Sequence, residues 1–214
     1  MIALSLDQVA LESQGKMAEI RTFIVPVRFA DFDRGLIEWL IEPLLDTLDL
    51  LLTLSMGRVR IDLERFPGLR RSSGKLDNDS LLGGGSERVP VIPPGLTGPE
   101  FVEFSLPAEI MREAPGDFEI ADNRTVTTLE RGEITVDNLE ALADRRSVQG
   151  SGGGYLSNEI SYRTIRKVAG RCPVGHIHTP SITGFEPAKI QKIVDQVTKM
   201  IVVAIGTLSG DRQA

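Results

Sequence analysis

Three short segments hold the residue types able to do chemistry. In the first, Ser151-Gly152-Gly153-Gly154-Tyr155-Leu156-Ser157-Asn158 leads from a glycine run into a helix-forming stretch. Glycines let the backbone turn sharply and present free N–H groups. Together with the positive end of a helix, these suit an anion or a developing oxyanion. Ser157 at the helix start is placed as a nucleophile whose deprotonated form that field favours. The structural alternative is a helix N-cap hydroxyl behind a flexible glycine loop.

The second segment, Gly175-His176-Ile177-His178-Thr179-Pro180, contains both histidines of the chain, so an imidazole general base must be one of them. Strand alternation puts the two on one face, which raises a His-x-His metal pair. No obvious third ligand accompanies them, and the expectation is no metal and no cofactor. The plain alternative is a hydrogen-bonded histidine at a strand end. The third segment, Gly57-Arg58-Val59-Arg60-Ile61-Asp62-Leu63-Glu64-Arg65, alternates charge with apolar residues. It reads as a half-exposed strand with a solvated charged face. A Ser–His partnership elsewhere would sharpen Glu64 into the carboxylate that orients the histidine.

Composition bounds what these segments can serve. The chain has 214 residues, 41% apolar and 25% charged, as expected of a globular domain large enough to bury a real core. A net charge of −6 argues against nucleic acid as a partner, because phosphate binding needs clustered Lys and Arg. The single Cys172 rules out an internal disulfide and a multi-cysteine zinc site. The start lacks a basic region and Asp7 interrupts its apolar stretch, so it makes a poor signal peptide. Nor is there the run of roughly 18 apolar residues that a membrane span needs. A cytoplasmic protein with no membrane partner is the expectation.

Elements must then position the three segments. Ile2, Leu6, Val9, Ala10 and Ser13 predict a first helix ending near Gly15, and Ile20 to Val27 a buried strand weakened by Pro26. Leu36 to Leu48 predicts a second helix that Pro43 kinks or ends, and Leu50 to Met56 a strand buried on both faces. Gly68 to Gly98 reads as one long loop, and residues 117–136 as a hairpin or flap. Ser157 to Val168 predicts a helix, and Val174 to Thr179 a short strand. Pro187 opens a long helix buried through Ile190, Ile193, Val194, Val197, Ile201 and Ala204. Ser209 to Ala214 is a polar tail expected to fray. Alternating helices and strands point to a parallel sheet covered by helices.

Taken together, the segments resemble the pyroglutamyl peptidase (pyrrolidone-carboxylate peptidase) family, cysteine peptidases that remove N-terminal pyroglutamate. The family's Ser-Ala-Gly-Thr-Tyr-x-Cys-Asn, with Tyr four residues on, is similar to Ser151 to Asn158 with Tyr162. Its Gly-Phe-Ile-His-Val-Pro is similar to Gly175 to Pro180. Its Gly-Arg…Glu-Arg, followed by Asp-Asn, is similar to Gly57-Arg58…Glu64-Arg65 and Asp77-Asn78. The resemblance runs from the first helix to the last and implies a single domain over residues 1–214. Its fold would be an α/β three-layer α/β/α sandwich on a twisted, mainly parallel sheet, with a loop or hairpin insertion around 115–146. Carried over, His178 is the general base, Glu64 orients it, and Ser157 stands at the nucleophile position. Gly153, Gly154, Tyr155 and Asn158 then belong to the substrate-binding or oxyanion region.

Two departures accompany the resemblance. Ser157 replaces the nucleophilic Cys, and a hydroxyl needs far more help than a thiol to attack. The family's opening strand and pocket loop have no counterpart, which would leave a sheet edge to be covered. The resemblance therefore implies either a Ser157-based hydrolase acting on a peptide substrate or an inactive homologue that binds a peptide or protein. The family's dimers and tetramers also imply a homo-oligomer. Cys172 does not align with the nucleophile and reads as a buried, inert thiol.

Overall fold

The computed structural model describes residues 2–208. The chain starts with helix α1 (Ile2–Leu6) and a hairpin of β1 (Ala10–Ser13) and β2 (Lys16–Glu19). The single helix expected up to Gly15 is thus replaced. Gln14 and Gly15 both take left-handed backbone, φ 51° and 76°. That is the two-residue turn a tight hairpin requires, so Gly15 serves as a turn rather than a helix end. The strand expected over Ile20 to Val27 is also absent: these residues run without regular structure. Their β-branched composition suits a strand, but only Ile20 extends the hairpin, donating to Val9 O at 3.0 Å and accepting from Gln8 N–H at 2.8 Å, and among the described residues no ladder continues along the rest.

Helices α2 (Phe29–Asp33) and α3 (Leu36–Ile41) follow, and a 3₁₀ turn at Glu42–Leu44 ends α3 where Pro43 removes a backbone donor. Next come β3 (Leu51–Arg58) and β4 (Ile61–Glu64), then irregular chain to helix α4 (Ala108–Arg112). Residues 68–98 form no named element and hold only isolated bridges, such as Arg71 to Val91. Strand β5 (Ile120–Asn123) leads into β6 (Thr125–Thr128) and β7 (Gly132–Thr135), an antiparallel hairpin that β8 (Ser147–Gln149) extends to three strands. Helix α5 (Leu156–Val168), strand β9 (Val174–Pro180) and helix α6 (Pro187–Thr207) complete the described chain. The tail from Ser209 to Ala214, expected to fray, lies outside the described residues.

The central sheet has the order β3-β9-β4-β5. β3 runs parallel to β9 and β4 parallel to β5, while β4 meets β9 antiparallel. Three layers result. Helices α4 and α6 cover one face through Ile61, Leu63 and Ile177 against Met111, Met200 and Ala204. Helices α3 and α5 cover the other, through a cluster of Phe29, Phe32, Ile37, Leu156 and Val168 that also contains Cys172. The α6 residues expected to be buried are all buried.

Two burial expectations reverse. β3 is not buried on both faces; it is an edge strand of the sheet, and of its residues only Thr53 is buried. β4 is not half-exposed; all four of its residues are buried because it sits between β9 and β5. Charge alternation suggested a solvated face, but neighbouring strands decided the matter.

Candidate active site

Period-two alternation sorts the sheet's side chains by face. Leu54, Leu63 and Ile177, aligned across β3, β4 and β9, face α4 and α6. Thr53, Ser55, Asp62, Glu64, His176 and His178 therefore face the opposite way, towards α5. This polar half-face lies beside the start of that helix, where the glycine segment enters.

Glu64 is 0% exposed and yet fully partnered. Its Oε1 accepts from His178 Nδ1 at 2.5 Å and from the Arg58 guanidinium at 3.1 Å, and its Oε2 accepts from Asn123 Nδ2 at 2.8 Å. A carboxylate surrounded by donors has to accept from the ring, so Nδ1 carries the proton and Nε2 keeps its lone pair. His178 is thereby set in the tautomer of a general base. Arg58 and Asn123 also donate to the Ser151 carbonyl, at 3.0 and 2.9 Å. They tie the carboxylate to the beginning of the glycine segment. Neither was singled out in the sequence; Arg58 stood in the Gly57–Arg65 segment, while Asn123 carried no signal because only β4–β5 pairing brings it to Glu64.

Ser157 and His178 line one cavity, together with Gly152, Gly153, Gly154 and Tyr155. Ser157 is the second residue of α5 and not its N-cap, which is Tyr155. Its Oγ donates to the Gly152 carbonyl at 3.2 Å, and no hydrogen bond joins it to His178. The N–H groups of Leu156 and Ser157, in the first turn of a 13-residue helix, have no intrahelical acceptor. Such groups can donate to an anionic oxygen.

Asn158 is placed elsewhere. Its side chain accepts from Gly68 N–H at 2.9 Å and donates to Gly68 O at 2.8 Å, and it does not line the cavity. It fastens the segment after β4 to α5. Tyr155 stands edge-on to Phe29 and donates its hydroxyl to Leu76 O at 2.9 Å. The aligned Tyr162 is wholly buried and donates to Pro99 O at 2.6 Å; burial pushes its hydroxyl up to about 12.

His176 shares the face of His178, with ring centroids 4.7 Å apart. Thr53 Oγ1 lies 2.7 Å from its Nδ1 and Ser55 Oγ 2.7 Å from its Nε2. Both ring nitrogens are thus occupied by hydroxyls. Complete burial, then the neighbouring His178 and Arg58, hold this imidazole well below its ordinary range, so it is neutral. Among the described residues, no group of three or more His, Cys, Asp or Glu side chains converges as a metal site would require.

No family model and no curated protein matches the chain. Solved structures do. A mutant pyrrolidone carboxyl peptidase from Pyrococcus furiosus matches with TM-score 0.64 and 19% identity, over 97% of this chain and 90% of that one. A second mutant of the enzyme matches with TM-score 0.66 and 20% identity over the same shares. The fold is that of the pyrrolidone carboxyl peptidases. At this identity the likeness speaks for the pyrrolidone carboxyl peptidase fold alone. No helix among the described residues is long and apolar enough to cross a membrane.

Proposed function

We propose that this protein is a hydrolase of the pyroglutamyl-peptidase type, in which His178, oriented by Glu64, activates Ser157 against an amide or ester carbonyl. The observation that carries the reading is the buried Glu64–His178 contact of 2.5 Å, which leaves Nε2 for the cavity that Ser157 also lines. In the reaction, the Ser157 Oγ–C bond forms as its proton passes to His178 Nε2. The oxyanion is met by N–H groups at the start of α5. The proton then goes to the departing amine as the carbon–nitrogen bond breaks, and water, activated by the same ring, hydrolyses the acyl-serine.

The test is cleavage of a chromogenic pyroglutamyl amide by purified protein beside a His178→Ala variant. The wild type is expected to exceed the variant by a hundred-fold or more, on the order of what a positioned base contributes. Equal rates in the two proteins would refute the reading for that substrate.

One observation favours a second reading, a catalytically inactive relative that binds a peptide or protein. Ser157 Oγ is bonded to the Gly152 carbonyl and not to the imidazole. Replacing Ser157 by Cys separates the two. A thiol ionises near neutral pH with modest help, so cleavage that appears only in Ser157→Cys identifies an intact but unarmed site. A cytoplasmic location and a homo-oligomeric state belong to the same proposal, as does the absence of nucleic acid, membrane and cofactor from its chemistry. Size measurement in solution tests the oligomer directly.

A further inference from the structure

Two residues of the polar half-face take no part in the proposed reaction, Ser55 and His176. Ser55 is the β3 residue in register with His178 of β9, and paired strands lie about 4.8 Å apart. Its side chain stands out of the sheet on the α5 side, as that of His178 does. It lines the cavity that Ser157 and the glycine segment also line. A group held by Ser157 and His178 therefore lies against the Ser55 hydroxyl. What the hydroxyl can do for that group depends on where its single proton points.

A chain of hydrogen bonds behind Ser55 decides this. Thr53 Oγ1 donates to Gly175 O at 3.3 Å. A carbonyl oxygen can only accept, so that contact uses the one proton Thr53 has. Towards His176 Nδ1, 2.7 Å away, Thr53 must then accept, which places the ring proton on Nδ1. The ring is neutral and has no second proton, because complete burial and the neighbouring His178 and Arg58 oppose its charging. Its Nε2 is thus a bare lone pair, and the Ser55 hydroxyl 2.7 Å away has to donate to it. The opposite assignment would set Thr53 Oγ1 and Gly175 O lone pair against lone pair. Thr53 and His176 are 8% and 0% exposed, so water cannot relieve that contact. With its proton committed inward, Ser55 Oγ offers the cavity lone pairs only. Arg58 lines the same cavity and disfavours a cationic donor. A neutral N–H, as an amide or lactam carries, is the partner that suits it.

We infer that Ser55 Oγ is an acceptor that selects acyl groups carrying a neutral amide or lactam N–H, and that His176 is the positioning residue that fixes its polarity. The inference rests on the hydrolase reading only in taking the selected group as part of a substrate. Recognition itself needs no turnover.

The experiment uses the full chain and reads both the ring proton and the selection. Nitrogen NMR of isotope-labelled histidine reports the tautomer, and His176→Phe assigns the signals because the chain has only two histidines. Binding is titrated with the dimethylamide of pyroglutamic acid and with its lactone isostere, in which ring oxygen replaces the N–H. The dimethylamide leaves the ring N–H as the sole donor of the first probe. Expected are an Nδ1–H tautomer at His176 and a lactam bound at least about ten-fold more tightly than the lactone. Ser55→Ala removes the acceptor, and His176→Phe frees the hydroxyl to turn its proton outward. In each the preference should fall to about two-fold or less. An Nε2–H tautomer, equal binding of the two probes by the wild type, or an undiminished preference in the variants would each overturn the inference. A preference for the lactam without cleavage of the chromogenic pyroglutamyl amide leaves it standing and removes the hydrolase reading. Cleavage without the preference does the reverse.

Discussion

In the proposed reaction His178 serves as a base through its contact with Glu64, and Glu64 is tolerable in the core because of Arg58 and Asn123. A carboxylate buried with fewer donors would protonate or expel itself towards water. Glu64→Gln keeps the shape but can turn an N–H towards Nδ1, which reverses the tautomer and should reduce amide cleavage by about a hundred-fold or more. Initial rates of the variant beside the wild type check this. Neighbouring His176 predicts a different signal, in stability. The folded protein holds it neutral well below its ordinary 6.5, whereas the unfolded chain takes up a proton near that value. The unfolded state therefore binds more protons as pH falls through the sixes, and the folded state loses up to about 1.4 kcal/mol per pH unit from this group. Stability should be flat above pH 7 and decline between about pH 6.5 and 5, before carboxylates contribute. Urea titrations across that range, with His176→Gln as the variant lacking the slope, measure it.

At the scale of elements, the entry to α5 depends on close backbone approaches. A Cβ on Gly150 would lie 2.1 Å from Asn158 Oδ1 and 2.3 Å from Gly68 N. Gly150→Ala must push apart the Asn158 clasp and the segment after β4, so it should destabilise by about 1–3 kcal/mol. It should also shift Ser157 relative to His178, so that kcat falls along with the melting temperature; thermal melts and single-turnover rates on one preparation test both effects. The helices α5 and α6 and the strand β9 were legible from hydrophobic period because each buries a regular face. The first helix was misread because the apolar spacing from Ile2 to Ser13 fits both a helix and a short helix plus hairpin. The left-handed pair Gln14-Gly15 decides for the hairpin. Ile20 to Val27 has strand composition but lines the same cavity as β3 without pairing to it, and composition cannot supply a ladder partner.

Over the whole molecule, the long loop 68–98 is bound to the helices by buried charge. Arg71 contacts Glu159 at 2.5 and 3.0 Å and Asp33 at 2.6 Å, while Arg163 contacts Glu159 at 2.8 Å and Glu38 at 2.7 Å. Arg71, Glu159 and Arg163 are all buried. Glu159→Ala would leave two buried guanidinium groups short of a partner, a loss of about 3–5 kcal/mol. Chemical denaturation should show a lower midpoint at an unchanged slope, because the core's exposed area on unfolding stays the same. In the α6 layer, Ile193→Ala should cost about 2–5 kcal/mol through the cavity it leaves, measured in the same way.

Sequence alone determined the long loop, the hairpin at Thr125 to Thr135 and the layered α/β class, and it singled out three candidate segments, because period, glycine runs and residue type are local properties. Only the tertiary structure decided which of these meet. Strand order brought Asn123 to Glu64, placed β4 inside the sheet and β3 at its edge, and turned Asn158 onto Gly68 instead of the cavity. These are consequences of long-range pairing, and pairing between distant strands leaves no trace in either strand's own pattern.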